Sequence, residues 1–346
     1  MVEWKKLGEV ISVHTGEQLN RGNMTETGAY PVINGGRIAS GFTDKNNEIA
    51  NTITISQGGE SAGFISWINQ DFWAGAHCYV VENKEHNNLR FLFHVLKNNE
   101  NRIMSSKQGA GIPGLNRKNL YSLIIPIPSL SEQERIVGIL DTFTASIDNI
   151  KAQIEQRHKQ YEHYRDKLLD IEGKEGVEMK IENFCQLKAG KSVSAEEISE
   201  DYNENNYPCI GGNGIRGYVP FYSHEGEYPI IGRQGALCGC VNWITGRFYA
   251  TEHAVVALGN NDINQRFLFY LFENADLNQY KTQGAQPGLS VTILNEIKFR
   301  IPTLARQQEI VSILDTFEAS INNLEAQLEQ RQKQYEYYRE KLLTFE

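Results

Sequence analysis

Three groupings in this 346-residue chain have residue types and spacings that could do chemistry. Gly212-Asn213-Gly214-Ile215-Arg216-Gly217 fits the glycine pattern that lets backbone amides approach a dinucleotide pyrophosphate at a helix N-terminus. The residues that follow are Tyr218-Val219-Pro220-Phe221-Tyr222, and a proline there breaks the required helix, so the pattern reads as a glycine turn. Gly190-Lys191-Ser192 resembles the end of a phosphate-binding loop, yet Cys185 stands where its first glycine belongs. Cys209, Cys238, Cys240 and His253 could be assembled on paper into a zinc site. The matching stretch of the first half has Ala62 and Phe64 instead, and no second paired spacing exists, so buried, inert thiols and no bound metal are expected.

His77 and His253 each follow an aromatic pair, Phe72-Trp73 and Phe248-Tyr249. Either could be a base or a DNA contact. Their recurrence at matching places favours framework histidines whose rings are hydrogen-bonded inside each half. No nucleophile-and-base signature, metalloprotease helix or amino-methyltransferase motif is present, so no catalytic residue is assigned.

The length suits two or three domains, and 40% apolar residues can fill their cores. No apolar run approaches the ~20 residues a bilayer requires, the start lacks a secretory layout, and the five cysteines show no paired framework. A cytoplasmic protein with reduced thiols and no membrane partner is expected. The net charge of −9 is unevenly spread. Residues 1–130 carry 12 basic and 11 acidic groups, whereas 131–172, 181–304 and 305–346 are each net acidic. Between Glu100 and Glu132 stand four cations, Arg102, Lys107, Arg117 and Lys118, and no acid.

The architecture follows from an internal repeat. A shift of 174 places Ile136–Leu169 on Ile310–Leu343 with 25 of 34 positions identical. The preceding regions correspond sparsely: Trp67 with Trp243, His77 with His253, Arg90-Phe91-Leu92-Phe93 with Arg266-Phe267-Leu268-Phe269, Ile127-Pro128 with Ile301-Pro302. In the first well-matched stretch Ile136, Leu140, Phe143, Ile147, Ile150, Ile154, Tyr161, Tyr164, Leu168 and Ile171 keep a 4-3 spacing, with Arg157 in the seam; Arg331 holds the same slot in the second. This heptad stripe calls for a partner helix, and the other copy is the nearest. Residues 136–171 would span roughly 54 Å as a helix. Ser131 with Glu134 reads as a capping box, and Gly173 and Gly176 as the helix end.

Pairing could be parallel or antiparallel. Each globular part directly precedes its helix and the link is short, so antiparallel pairing is expected, with a pseudo-two-fold axis. Joining a homodimer's bundle is the alternative. The expected boundaries are 1–130 for the first globular domain, 131–172 for the central helix, 173–180 for a linker, 181–304 for the second domain and 305–346 for the C-terminal helix. Each globular part has strand-like runs ending in glycine turns: Tyr30–Ile33, Thr52–Ser56 and Cys78–Val81, then Tyr207–Ile210, Tyr228–Ile231 and Ala254–Ala257. Short helices are expected at 90–96 and 266–272. The class is α+β, with one twisted, mainly antiparallel sheet in each domain.

Near-identical helices meet the same demand twice, while heads that share only a skeleton can meet two different demands. Two related readers on a rod suit duplex DNA, whose half-sites lie about 34–36 Å apart for two-fold binders.

Four further motifs stand out: Trp4-Lys5-Lys6-Leu7-Gly8-Glu9-Val10, Tyr-Pro-x-Ile-(Asn/Gly)-Gly at 30–35 and 207–212, Gly114-Leu115 and Gly288-Leu289, and Gln133-Glu134-x-Ile136 with Ile139-Leu140-Asp141. With them the chain as a whole resembles the specificity (S) subunits of type I restriction-modification systems. The second half departs from these motifs at Lys180-Ile181-Glu182-Asn183-Phe184 and Gln307-Gln308-Glu309. The resemblance implies two target recognition domains, each reading half of a split DNA site, and an antiparallel coiled coil that sets the spacing. It also implies assembly with two adenine methyltransferase (M) subunits and with restriction (R) motor subunits. S-adenosylmethionine would sit on the M subunits and ATP with Mg on the R subunits, so this chain would hold no cofactor and would not itself be an enzyme. A related methyltransferase-nuclease system, or a coiled-coil adaptor that binds no DNA, are the alternatives.

Backbone contacts set register and base-edge contacts specify, so polar residues in glycine-flanked loops that differ between the copies are the candidate readers. They are Asn34, Arg37, Gln57, Lys107, Gln108, Arg117 and Lys118 in the first half, and Asn213, Arg216, Arg233, Gln234, Lys281 and Gln283 in the second. The repeated Gln153, Arg157, Tyr161 and Tyr164, with Gln327, Arg331, Tyr335 and Tyr338, are the candidate partner-docking residues.

Overall fold

A computed structural model describes residues 2–107, 113–171, 176–235, 238–282 and 288–345. The chain forms two compact units, Met1–Lys151 with Ala326–Glu346, and Ala152–Glu325.

In unit one, β1 (Glu3–Lys6), α1 (Leu7–Val10), β2 (Ile11–Thr15), β3 (Tyr30–Ile33), β4 (Phe42–Thr43), β5 (Thr52–Ser56), β6 (Ile65–Ile68), β7 (Trp73–Ala74) and β8 (Cys78–Asn83) precede α2 (Leu89–Asn98), α3 (Glu100–Ser105), α4 (Arg117–Tyr121), β9 (Ile124–Ile127) and the long α5 (Leu130–Leu169). The strands pair in the order β2-β8-β5-β6, all antiparallel, and β4-β3-β7, in which Val32 and Ile33 run parallel to Trp73 and Ala74. β5 is buried at all five positions because strands flank it and α2 packs on it, so its Thr52, Thr54 and Ser56 are buried along with Ile53 and Ile55. β1 pairs separately with β9.

Unit two repeats the plan with β10 (Val177–Lys180), α6 (Ile181–Phe184), β11 (Cys185–Ala189), β12 (Tyr207–Gly211), β13 (Gly214–Val219), β14 (His224–Gly232), β15 (Val241–Ala250), β16 (Ala254–Gly259), α7 (Gln265–Asn274), α8 (Val291–Glu296), β17 (Lys298–Ile301) and the long α9 (Leu304–Leu343). Its sheet runs β11-β16-β14-β15-β12-β13, with Cys209 and Ile210 parallel to Tyr249 and Ala250. The single strand β15 does here what β6 and β7 do separately in unit one.

One continuous sheet is therefore not found in unit one. The break falls at the polar Asn69-Gln70-Asp71, where the Asp71 carboxylate accepts from the Ala50 N–H at 2.9 Å and the backbone of the next residue, Phe72, pairs with Glu48 instead of continuing along β5.

The long helices pair antiparallel inside each unit. In unit one Ile136 and Leu140 share a core with Leu343, and Phe143 stacks on Tyr338 at 5.2 Å; in unit two Leu169 shares a core with Ile310 and Leu314, and Tyr164 stacks on Phe317 at 5.3 Å. The seam arginines have aromatic partners: Arg331 lies over Phe143 and Arg157 over Phe317, each at 5.8 Å.

The helix boundaries differ from expectation. α5 starts at Leu130, with the Ser129 carbonyl accepting from the Gln133 N–H at 3.0 Å, so Ser131 lies inside the first turn and caps nothing. Thr303 does the same for α9 through Gln307. α5 ends at Leu169, ahead of Gly176; Gly173 lies outside the described residues. The span 173–180 is not simply a linker, because Val177–Lys180 is a strand paired with Lys298–Ile301, as β1 is with β9. That pairing also accounts for the altered opening of the second half. Trp4 is 56% exposed on β1, so its replacement on β10 leaves the core intact, while Leu7 and Ile181 are both fully buried.

Candidate nucleic-acid interface

Each unit ties its glycine-rich loops together with the same main-chain knot. In unit one the Gln57 N–H donates to the His77 carbonyl at 2.9 Å and the Leu115 N–H donates to the Gln57 carbonyl at 2.8 Å. In unit two the Arg233 N–H donates to the His253 carbonyl at 3.0 Å and the Leu289 N–H donates to the Arg233 carbonyl at 2.9 Å. Glycine is required around both knots. A Cβ on Gly35 would lie 2.5 Å from the His77 carbonyl oxygen, and one on Gly232, beside Arg233, would fall inside van der Waals contact of the Gly212 carbonyl. A Cβ on Gly16 or Gly190 would fall inside van der Waals contact of the Ala74 or Ala250 carbonyl.

The histidine expectation is corrected by this geometry. His77 is exposed at its ring, and its recurrence in both halves belongs to its backbone carbonyl. His253 keeps its ring near Glu252 at 3.3 Å, while its carbonyl does the same work as that of His77.

Most of the candidate readers gather at these loops. Asn34 is held inward, its Oδ1 accepting from the His77 N–H at 3.3 Å. Arg37 is exposed and lies 5.3 Å over the Phe64 ring. The Lys107 ammonium donates to the Glu60 carbonyl at 3.3 Å. Arg117 donates to the Thr15 hydroxyl at 2.7 Å and lies over Tyr79. Lys118 is exposed on α4. In unit two Asn213 is exposed at the β12–β13 turn and Arg216 is exposed on β13, so the glycine pattern there is a hairpin, with Gly214 at φ +89°. Gln234 is exposed and bridges to Gly288, and Lys281 is exposed beside the same loop. Gln108 and Gln283 lie outside the described residues.

The thiols divide by burial. Cys78, Cys185, Cys209 and Cys238 are buried, and burial raises the pKa of each, of Cys78 and Cys185 to about 12. Such thiols stay protonated and are poor nucleophiles and ligands. Cys240 is exposed, contrary to the expectation of a buried thiol, because it follows Gly239 at φ +89° in the turn that leads into β15.

The candidate docking residues on the helices have partners within their own units. Tyr161 donates its hydroxyl to Glu273 at 3.2 Å, and the Tyr335 hydroxyl meets His94 Nδ1 at 3.4 Å. Arg157, Arg331, Tyr164 and Tyr338 line the seam, Tyr164 and Tyr338 remaining 43% and 41% exposed. Gln153 and Gln327 are exposed.

Two features that hold each head to its long helix escaped the sequence reading. Arg90 donates through Nε to Asp141 at 2.8 Å while lying over Trp67 at 4.6 Å, and the fully buried His94 meets the same carboxylate at 2.8 Å. In unit two Arg266 donates to Asp315 at 3.0 Å and also pairs with Glu318; it lies over Trp243 at 4.9 Å, and Tyr270 takes the place of His94. Burial lowers the pKa of His94 and prevails over the Asp141 hydrogen bond, so its Nε2–H donates as a neutral ring. Burial by itself would raise the pKa of Asp141, but its bonds to His94 and Arg90 hold it below the usual carboxylate range. The second feature is a buried glutamine, Gln133 or Gln307, that joins helix start to head. The signal was available: Arg90, Asp141 and Gln133 all recur in the second copy.

Comparison with known proteins agrees with this layout. The family described as the type I restriction modification DNA specificity domain matches twice, over residues 1–157 and 174–332. The specificity subunit of the Escherichia coli type I restriction enzyme EcoprrI is 44% identical over 206 residues, which take in 58% of this chain and about half, 51%, of that one. A putative type I restriction enzyme specificity subunit of Haemophilus influenzae is 29% identical over 382 residues, covering 99% of this chain and 96% of its own. The crystal structure of the S subunit of a type I restriction-modification system from M. genitalium shares the fold, with a TM-score of 0.76 at 22% identity over 100% of this chain and 97% of that one. A chain from a structural study of assembly of a type I restriction-modification system gives 0.60 at 16% identity, over 99% and 97%. Among the described residues no helix is long and apolar enough to cross a membrane.

Proposed function

From the premise that this chain belongs to the type I restriction-modification DNA specificity family, we infer that it is the subunit that selects the DNA sequence on which such a complex acts. Each globular part reads one half of a bipartite duplex site, and the long helices, which take part in both units, set the spacing between the readings. The observation that carries this reading is the repeated knot, in which two units hold the same main-chain frame and present different side chains from it. Loops pinned by backbone bonds are free to vary in side chain without loss of shape, as direct readout of base edges requires.

Methyl transfer and cleavage belong to partners: two methyltransferase subunits carrying S-adenosylmethionine, and restriction subunits carrying ATP and Mg. The exposed Gln153, Gln327, Tyr164 and Tyr338 on the paired helices are offered to the methyltransferases. With a net charge of −9, the isolated chain binds DNA weakly and relies on partners for cationic surface. Mapping modified adenines in the host genome with and without this gene tests the reading. Loss of one bipartite motif is expected; an unchanged modification map overturns it.

A further inference from the structure

The two knots superpose in kind but not in the side chain at their centre, and that difference has a chemical meaning. Gln57 and Arg233 each use their backbone N–H and carbonyl in the same two bonds, so their Cα atoms are fixed by the same partners in the two units. Neighbouring candidates are held by their own units: Asn34 by His77, Lys107 by Glu60, Arg117 by Thr15. Among the described residues the Gln57 carboxamide has no hydrogen-bond partner, the Arg233 guanidinium has no ion pair, and the Arg233 Nε is inaccessible and unbonded. A rigid backbone beneath an uncommitted polar head is what a base-reading side chain needs, because register is set before the side chain engages.

We propose that Gln57 and Arg233 are equivalent specificity-determining residues, Gln57 reading an adenine in one half-site and Arg233 a guanine in the other. A carboxamide offers one donor and one acceptor, which matches adenine N6 and N7; a guanidinium offers two donors, which match guanine O6 and N7. This inference rests on the DNA-recognition reading above.

The test uses the chain co-purified with its methyltransferase subunits, S-adenosylmethionine and a duplex pool randomised across both half-sites, with methylated products sequenced. The unaltered complex is expected to require an adenine in one half and a guanine in the other. Arg233→Gln should cut selectivity for that guanine by roughly 5- to 150-fold and leave the other half-site unchanged. Gln57→Arg should do the converse, and Arg233→Lys, which keeps the charge but loses the fork, should relax the guanine position without loss of assembly. Size-exclusion chromatography of each complex verifies that the variants fold and assemble. A target without those bases, or intact complexes whose variants keep the original motif at both halves, overturns the proposal and leaves DNA recognition standing. An unaltered complex with no sequence selectivity overturns the recognition reading itself.

Discussion

Replacing Gln133 by leucine probes the joint between the first globular part and its long helix. Gln133 is 2% exposed. Its Oε1 accepts from the Asn88 N–H at 2.8 Å, and its Nε2 donates to the Pro128 carbonyl and to Asn87 Oδ1, each at 3.0 Å. Leucine fills similar volume, and burying it contributes about 1–2 kcal/mol. Stranding the Asn88 N–H and the Pro128 carbonyl costs about 1–3 kcal/mol for each. The central expectation is a net loss of about 2–3 kcal/mol, or roughly 30- to 150-fold less protection of amides in the neighbouring helix Leu89–Asn98. Hydrogen–deuterium exchange with peptide-level mass spectrometry reads this directly. Gln307, fully buried and bonded alike to Asn264, Asp262 and Pro302, provides the matched experiment: Gln307→Leu should loosen Gln265–Asn274 and spare Leu89–Asn98. Protection within about three-fold of the parent in both variants would refute the view that these amides fasten head to helix.

Acidification should weaken unit one through His94. Its folded pKa is depressed by burial, so the unfolded chain binds the extra proton first; the stabilisation is present above about pH 6.5 and is lost as pH falls through the folded pKa. Asp141, Arg90, Arg339 and Tyr335 face the ring, and Asp141, also depressed, adds a loss of the same sign at lower pH. Urea midpoints followed by tryptophan fluorescence should fall between pH 7.5 and 5.5 in the parent and fall less in His94→Gln; equal slopes would count against this. Gly190→Ala should destabilise unit two by about 1–3 kcal/mol because its Cβ meets the Ala250 carbonyl, whereas Gly22→Ala, with open space around it, should stay within about 0.5 kcal/mol by thermal denaturation. A maleimide should modify Cys240 in the native chain and reach Cys78, Cys185, Cys209 and Cys238 only after unfolding; rapid labelling of a second cysteine would contradict the burial assigned here.

The long helices, their seam and their antiparallel pairing were legible in the sequence, because a heptad stripe is local and its repetition with 25 of 34 identities names the partner. The antiparallel direction also followed from how little chain joins one helix to the next unit. The strands at Tyr30–Ile33, Thr52–Ser56 and Ala254–Gly259 were legible for the same local reason, as runs of β-branched or aromatic residues closed by glycine. Val177–Lys180 was not, since its alternation of Val and Met with Glu and Lys covers only four residues beside a glycine and becomes a strand through its partner 298–301.

What only the tertiary structure decided is which atoms of the repeated residues matter. His77 recurs as His253 for its carbonyl rather than its ring, and Gln133 recurs as Gln307 for bonds that reach residues 43 to 46 positions upstream. Periodicity records which side of an element faces the core, because that demand repeats every two or three and a half residues. A hydrogen bond between loops distant in the chain happens once, fixes one atom against another, and leaves no period in the letters.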